Sequence, residues 1–299
     1  METVLSVRNL KKSYKKGWAG KPVHALKGVS FDVQAGTITG FLGANGAGKT
    51  TTIKCLLELS LPDSGEVRFF GSPELTADSK RRIGFLPERP YFYEYLTGRE
   101  FLRFYGQLSG SIASKDLKDR ITSLLKRVGL EHAGDRPLRS YSKGMLQRVG
   151  IAQALIHKPD FIILDEPMTG LDPDGRFEVR EIIRETAREG TAVFFSSHLL
   201  PDAEQLCERL VILAHGNLVF QGPMRDLLNH SGYELISARD GKTETTVIKG
   251  VEELQQTIDT KRSGGSSILE IKPTRLSLEE AFVKIAMKPR NVKSEEASR

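Results

Sequence analysis

Cysteine is scarce: the 299 residues hold two, Cys55 and Cys207, far apart and in no CxxC pattern. That argues against a disulfide scaffold and a zinc ribbon and suits a reducing cytoplasm. Long apolar runs are missing too. The candidates, such as Phe161–Leu164, are strand-sized, far below the roughly 18 residues a spanning helix needs, so the chain is not expected to cross a membrane by itself. The opening METVLSVRNLKKSYKK lacks the basic-then-apolar order of a secretory leader. Internal repeats and low-complexity tracts are also lacking. Neither charge sign dominates: 44 basic against 38 acidic residues leave a net +6. This balance permits a polyanionic partner (nucleic acid, nucleotide or anionic lipid) but more readily describes an ordinary basic protein with solvated lysines. What is present, 39% hydrophobic and 27% charged residues, is a globular composition with enough apolar side chains for a core. The length fits one large domain or two.

Short β-like runs at 4–7, 28–33, 37–42 and 65–70 are punctuated by Gly36, Gly43 and Gly71. From 50 to 59 the pattern turns helical, directly after a glycine-rich loop. Residues 88–155 read as mostly helical, with Phe101, Leu102, Phe104 and Tyr105, then Ile121, Leu124, Leu125 and Val128, at helical spacing. Apolar runs at Phe161–Leu164, 192–195 and 210–213, with a helix-like 176–188 between the first two, predict βαβ units and a buried parallel sheet. After about His230 the composition changes. Strands at 233–237, 245–248 and 267–271, a helix at 251–261 and an amphipathic 277–287 predict a small β-β-α-β-α appendage over 230–287. The charged tail 288–299 is expected to be disordered.

Two segments carry chemistry. Gly43-Ala44-Asn45-Gly46-Ala47-Gly48-Lys49-Thr50 fits GxxxxGK[ST], between a strand and a helix. Glycines let the backbone curl so that consecutive N–H groups, backed by a helix N-terminus, face phosphates. Lys49 reaches the β/γ-phosphates, and the Thr50 hydroxyl is suited to Mg²⁺. Phe161-Ile162-Ile163-Leu164-Asp165-Glu166 is a buried-strand run ending in two carboxylates. At the C-terminal edge of a parallel sheet Asp165 is placed to hold Mg²⁺, and Glu166 to polarise an attacking water. Taken alone, such a pair is equally a plain strand end.

Further motifs occur in a fixed order. Tyr141-Ser142-Lys143-Gly144-Met145-Leu146-Gln147-Arg148, before Asp165, resembles the LSGGQ signature of ABC ATPases. Gly170-Leu171-Asp172-Pro173 resembles the D-loop of that family, and Ser196-Ser197-His198 its H-loop. From Leu5 to about Leu228 the chain resembles the nucleotide-binding subunits of ABC transporters. The resemblance implies an α/β P-loop ABC ATPase fold: a RecA-like core with an antiparallel β subdomain and a helical subdomain at about 88–155. The cassette would span 1–229, and the appendage would be a small α+β C-terminal domain.

The resemblance also implies ATP and Mg²⁺, and a head-to-tail pair of cassettes with each ATP between one P-loop and the partner's signature. Gly43, Ala44, Asn45, Gly46, Ala47, Gly48, Lys49, Thr50 and Thr51 would hold the phosphates from one side. Ser142 and Gly144 would bind the γ-phosphate from the other, near Asp172 of the D-loop. Tyr14 lies where the family has an adenine-stacking aromatic; the bland alternative is a half-exposed strand tyrosine. Glu166, His198 and Lys49 would be catalytic, and Thr50, Asp165 and Glu88 would hold the metal.

Several positions depart from the family pattern. Glu88 replaces the Q-loop glutamine, adding negative charge near the phosphates. Tyr141, Lys143 and Met145 replace signature residues. Lys143 either adds charge near the γ-phosphate or points into solvent. The aromatics Tyr91-Phe92-Tyr93-Glu94-Tyr95 follow the Q-loop, where the family has its groove for a membrane subunit; packing into the core is the other reading.

The closing LEEAFVKIA stretch and Leu86-Pro87-Glu88 resemble cassettes of ABC-2-type exporters. Implied partners are separate transmembrane permease subunits and a second copy of the chain, with no nucleic acid. The implied location is cytoplasmic, peripheral on the inner face of the cell membrane. A soluble ABC ATPase acting on nucleic acid or ribosomes is the alternative. It is disfavoured by the single P-loop and by the absence of sustained heptads between Lys49 and Asp165. A nucleotide sensor that rarely turns over would need Glu166 or His198 to be ineffective.

Overall fold

The computed structural model describes residues 2–15, 22–228, 230–239 and 242–286. The first unit runs β1 (Thr3–Lys15), β2 (Pro22–Gln34), β3 (Ile38–Leu42), α1 (Lys49–Leu56), β4 (Ser64–Phe69), α2 (Ala77–Arg81) and β5 (Ile83–Leu86). It continues through α3 (Gly98–Ser109), α4 (Ser114–Arg127), α5 (Lys143–Leu155), β6 (Phe161–Leu164), α6 (Pro173–Arg188), β7 (Ala192–Ser197), α7 (Leu200–Leu206), β8 (Arg209–Ala214) and β9 (Asn217–Pro223). Then follow α8 (Met224–Leu227), β10 (His230–Arg239), β11 (Lys242–Ile248), α9 (Val251–Ser263), β12 (Ser267–Arg275) and α10 (Leu278–Ala286). Contacts divide the chain into two compact units, Met1–Gly222 and Pro223–Arg299.

In the first unit, β1 pairs antiparallel with β2 and β4 in a three-stranded sheet. A six-stranded sheet has the order β5-β6-β7-β3-β8-β9, with β5, β6, β7, β3 and β8 parallel. Every residue of β3, β6 and β7 is buried, which is why these strands read as continuous apolar runs rather than alternating ones. Phenylalanines join the two sheets. Phe31 of β2 lies 5.6 Å from Phe41 of β3 and 5.7 Å from Phe194 of β7, ring centre to ring centre. Each such fully buried ring contributes about 1.5–3 kcal/mol.

The helical part is α3, α4 and α5, packed on one another. α3 starts at a capping box in which Thr97 and Glu100 satisfy each other's backbone N–H groups. The α/β class and the antiparallel and helical parts expected from the sequence are all present.

Some local expectations fail. The helix read over 50–59 stops at Leu56, and Glu58 turns left-handed at φ 57°. Leu59 closes the apolar pattern, yet it is 64% exposed, so no core faces it. Residues 88–97 are loop and turn rather than helix, because Pro90 interrupts the segment and Thr97 caps the helix that follows. β5, α7 and β9 were not anticipated as elements.

In the second unit β10 pairs antiparallel with β11 and β12. α9 packs on this sheet, its Leu254 sharing a small core with Leu235 and Ile248. The tail 288–299, expected to be disordered, lies outside the described residues. Among the described residues no helix is long and apolar enough to cross a membrane.

Candidate active site

The strand order sets the site. β3, β5, β6 and β7 are parallel members of one sheet, so the loops leaving their C-terminal ends share one edge. They deliver the glycine-rich loop from β3, Glu88 from β5, Asp165 and Glu166 from β6, and His198 from β7. Asn45, Gly46, Gly48, Lys49, Thr50, Thr51, Glu88, Glu166, Thr169 and His198, with Ala25, line one cavity of about 470 Å³.

The loop curls where glycine is required. Gly48 has φ 112°, and a Cβ there would stand 2.8 Å from the Ala25 carbonyl oxygen. A Cβ on Gly43 would stand 2.7 Å from the Leu213 carbonyl oxygen. Lys49 opens α1 and is buried. Its ammonium donates to the Gly43 carbonyl at 2.7 Å and lies 3.2 Å from Glu166 Oε1.

Glu166 is held on every side. Its φ of 52° is left-handed, a strain of about 1–3 kcal/mol for a non-glycine residue. Its backbone N–H donates to Ser196 Oγ at 2.9 Å, and that same hydroxyl donates to Asp165 Oδ1 at 2.6 Å. The Thr169 hydroxyl donates to Glu166 Oε2 at 2.8 Å, and His198 Nδ1 lies 2.7 Å from the same oxygen. An ionised carboxylate only accepts, so Nδ1 carries a proton and Nε2 remains for another partner.

The two neighbouring carboxylates are pushed in opposite directions. Burial raises Asp165 above the usual carboxylate range. Hydrogen bonds from Ser196 and Thr50 only partly offset this, and the charges of Glu88 and Glu166 add to it. Burial acts the same way on Glu166, but the Thr169 hydroxyl, the Lys49 charge and His198 together outweigh it, leaving Glu166 below its ordinary value. Adjacent acids are thereby differentiated.

Other anticipated residues lie outside this cavity. Gly43, Ala44 and Ala47 shape the loop without lining it. Ser142 is the N-cap of α5, its hydroxyl accepting from the Met145 N–H at 3.3 Å, and Gly144 lies in the first turn. Asp172 caps α6, accepting from the Gly175 N–H at 2.9 Å. Tyr14 is 42% exposed on β1, with the Lys12 ammonium 5.3 Å from its ring centre. The roles of Ser196 and Thr169 as brackets were missed. Ser196 was read only as part of a motif, and Thr169 carries no local pattern.

The departures acquire physical content. Tyr141 is buried, donates to the Ala133 carbonyl at 2.7 Å and fills the space above Gly98; it is a packing residue. The Lys143 ammonium rests so close to Gly170 that a Cβ there would overlap it. It therefore covers the start of the segment resembling the D-loop. The aromatic cluster divides. Phe92 packs on Phe101 and Tyr93 on Phe104, while Tyr91 and Tyr95 are 80% and 74% exposed. A second cavity of about 390 Å³ lies here, lined by Glu88, Tyr91, Phe92, Arg139, Lys143 and neighbours. Among the described residues no group of three or more His, Cys, Asp or Glu is arranged to hold a metal. The oxygens of Thr50 and Asp165 form a hard-donor pair that fits Mg²⁺ when phosphates complete its shell.

Comparison with known proteins agrees with this geometry. The ABC transporter family profile matches residues 26–169. An ABC transporter ATP-binding protein of Nostoc sp. is 40% identical over 301 residues, spanning 94% of this chain and 89% of its own. A bacitracin transport ATP-binding protein of Enterococcus faecalis is 36% identical over 253 residues, 83% of this chain and 79% of its own. Among solved structures, a dimeric bacterial ABC transporter cassette superposes with a TM-score of 0.67 at 26% identity, covering 74% of this chain and 99% of that one. The chain belongs to the ATP-binding subunits of ABC transporters, ATPases that work with separate membrane components.

Proposed function

We propose that the chain powers an ABC-2-type exporter, pairing head to tail with a second copy and hydrolysing ATP with Mg²⁺. The observation that carries this reading is the convergence of Lys49, Thr50, Asp165, Glu166 and His198 on one sheet edge. Lys49 and the loop N–H groups hold the β- and γ-phosphates, and Tyr14 stacks on adenine. Thr50 and Asp165, with Glu88 nearby, would hold Mg²⁺, which neutralises charge on the phosphate oxygens when bound. Glu166, kept ionised by its neighbours, takes a proton from the attacking water as the water oxygen bonds to the γ-phosphorus and the bond to the bridging oxygen breaks. His198, oriented through Nδ1, offers Nε2 to the γ-phosphate. Positioning and charge stabilisation do most of the work in such a transfer.

Ser142 and Gly144, at the start of α5, suit the γ-phosphate of the partner's ATP, because a helix N-terminus presents free N–H groups. Asp172 opens the D-loop helix beside that interface. The likeness to a bacitracin transport protein and the exporter-like closing helix favour export. Residues 1–229 form the cassette in this reading, 230–287 an accessory domain, and the chain sits on the inner face of the membrane through permease subunits that dock near Tyr91 and Tyr95.

Affinity capture from mildly solubilised native membranes tests this, using Glu166→Gln protein with ATP and Mg²⁺. A polytopic membrane protein in stoichiometric amount supports transport. Recovery of soluble protein or nucleic acid alone overturns it. Glu166→Gln itself is expected to lower turnover by about 10²-fold or more while ATP-bound dimer accumulates; unchanged turnover removes Glu166 as the base.

A further inference from the structure

α6 is gripped from two sides. Arg148 of α5 lies 3.3 Å from Glu178. On the α7 side, Arg180 Nη1 donates to Asp202 Oδ1 at 2.7 Å, and Arg184 donates to the Gln205 carbonyl at 2.8 Å. The Arg180–Asp202 pair is the buried one, with side chains 14% and 5% exposed. It is also poorly matched: Arg180 Nε and Asp202 Oδ2 are buried without a hydrogen-bond partner among the described residues. A buried pair with unmatched atoms is a weak stabiliser, and apolar residues of similar size would hold two helices together as well or better. Stability therefore does not account for it, whereas its location does. Asp202 lies in the first turn of α7, and only Leu199 separates that helix from His198. The Leu199 N–H donates to Ser197 Oγ at 2.9 Å, tightening the link further.

We propose that Arg180 and Asp202 are positioning residues that set His198 against Glu166, and do so from α6, the helix that Asp172 caps. The proposal rests on the reading of His198 given above. Sliding or tilting of α7 on α6 would be passed through a link with no slack to the 2.7 Å contact between His198 Nδ1 and Glu166 Oε2. The pair fixes that placement with a directional contact, which apolar packing does not supply.

The test uses the full chain carrying Arg180→Met and Asp202→Leu together, so that neither charge is left unpaired. The thermal midpoint and the affinity for a fluorescent ATP analogue are expected to stay at parent values. The turnover number is expected to fall about tenfold to 100-fold at unchanged KM, the size of loss that slight misplacement produces. The His198 ring resonance, assigned by its disappearance in His198→Ala, is expected to move. On the His198→Ala background the same double change is expected to cause no further loss, because residues acting as a unit are not additive. A stationary His198 resonance overturns the proposal, as does a full-sized further loss on the His198→Ala background. If His198→Ala turns over like the parent, the catalytic reading of His198 fails, and the resonance alone decides whether the pair positions the ring. Should the double variant not fold, Asp202→Asn keeps the shape and one acceptor; an unmoved His198 resonance in that variant overturns the proposal equally.

Discussion

The hydroxyl of Ser196 joins the backbone N–H of Glu166 to the carboxylate of Asp165, so one small side chain on β7 keeps two acids on β6 in different places. Ser196→Ala is expected to lower stability by about 1–3 kcal/mol, since it strands a buried N–H and a buried oxygen, and to reduce turnover; urea unfolding and steady-state hydrolysis check both. The acids themselves respond to pH with opposite sign. Glu166 is held below its ordinary value, so its charge favours the fold. That contribution is complete above the unfolded-state value of about 4.3 and is lost as pH falls through the lower folded value. Asp165 is raised; its favourable contribution is complete below the unfolded value and disappears as pH rises through the folded one. Glu166→Gln is therefore expected to melt below the parent at neutral pH, with the gap closing on acidification, as calorimetry across the carboxylate range would show. A gap independent of pH would contradict the assignment. These neighbours were not legible in sequence: Lys49, Thr50, Asp165 and Glu166 announce themselves by local spacing, but the hydroxyls of Ser196 and Thr169 act across strands and loops.

Among elements, legibility followed burial and length. β3, β6 and β7 are buried at every position, and their apolar runs could be read directly. β5 has four residues and is interrupted by Gly84, whose missing Cβ is required by the Ala154 carbonyl of α5. α7 has seven residues and a proline in its first turn, too short for a helical period. β9 is partly exposed and mixes Asn, Gln and Gly, so no alternation marks it. The segment opening α5 matched a motif in sequence, but its first residue proves to serve packing. Tyr141→Phe is expected to lower stability by about 0.5–1.5 kcal/mol by removing one of two hydrogen bonds to the Ala133 carbonyl, which keeps the Arg136 N–H as donor, with ATP affinity unchanged. Denaturant titration and nucleotide binding distinguish this from a role at the phosphate, for which affinity would drop first.

At the level of the whole molecule, two compact units carry unequal shares of chemistry, because every residue lining the Lys49 cavity belongs to the first. A polypeptide of residues 1–229 is expected to bind ATP as tightly as the full chain. Titration with a fluorescent analogue checks it, and a folded fragment that cannot bind would place part of the nucleotide site in the second unit. The position of Ser142 and Gly144 outside the Lys49 cavity has a further consequence. A single copy presents two unlike halves of the proposed composite site, one around Lys49 and one at the start of α5, and each waits for its complement on another copy. Hydrolysis should then follow mass action: diluting the protein below its dimer dissociation constant should make the rate fall with the square of concentration, restored to first order by a tandem fusion. Surplus copies without a partner would bind ATP and leave it intact.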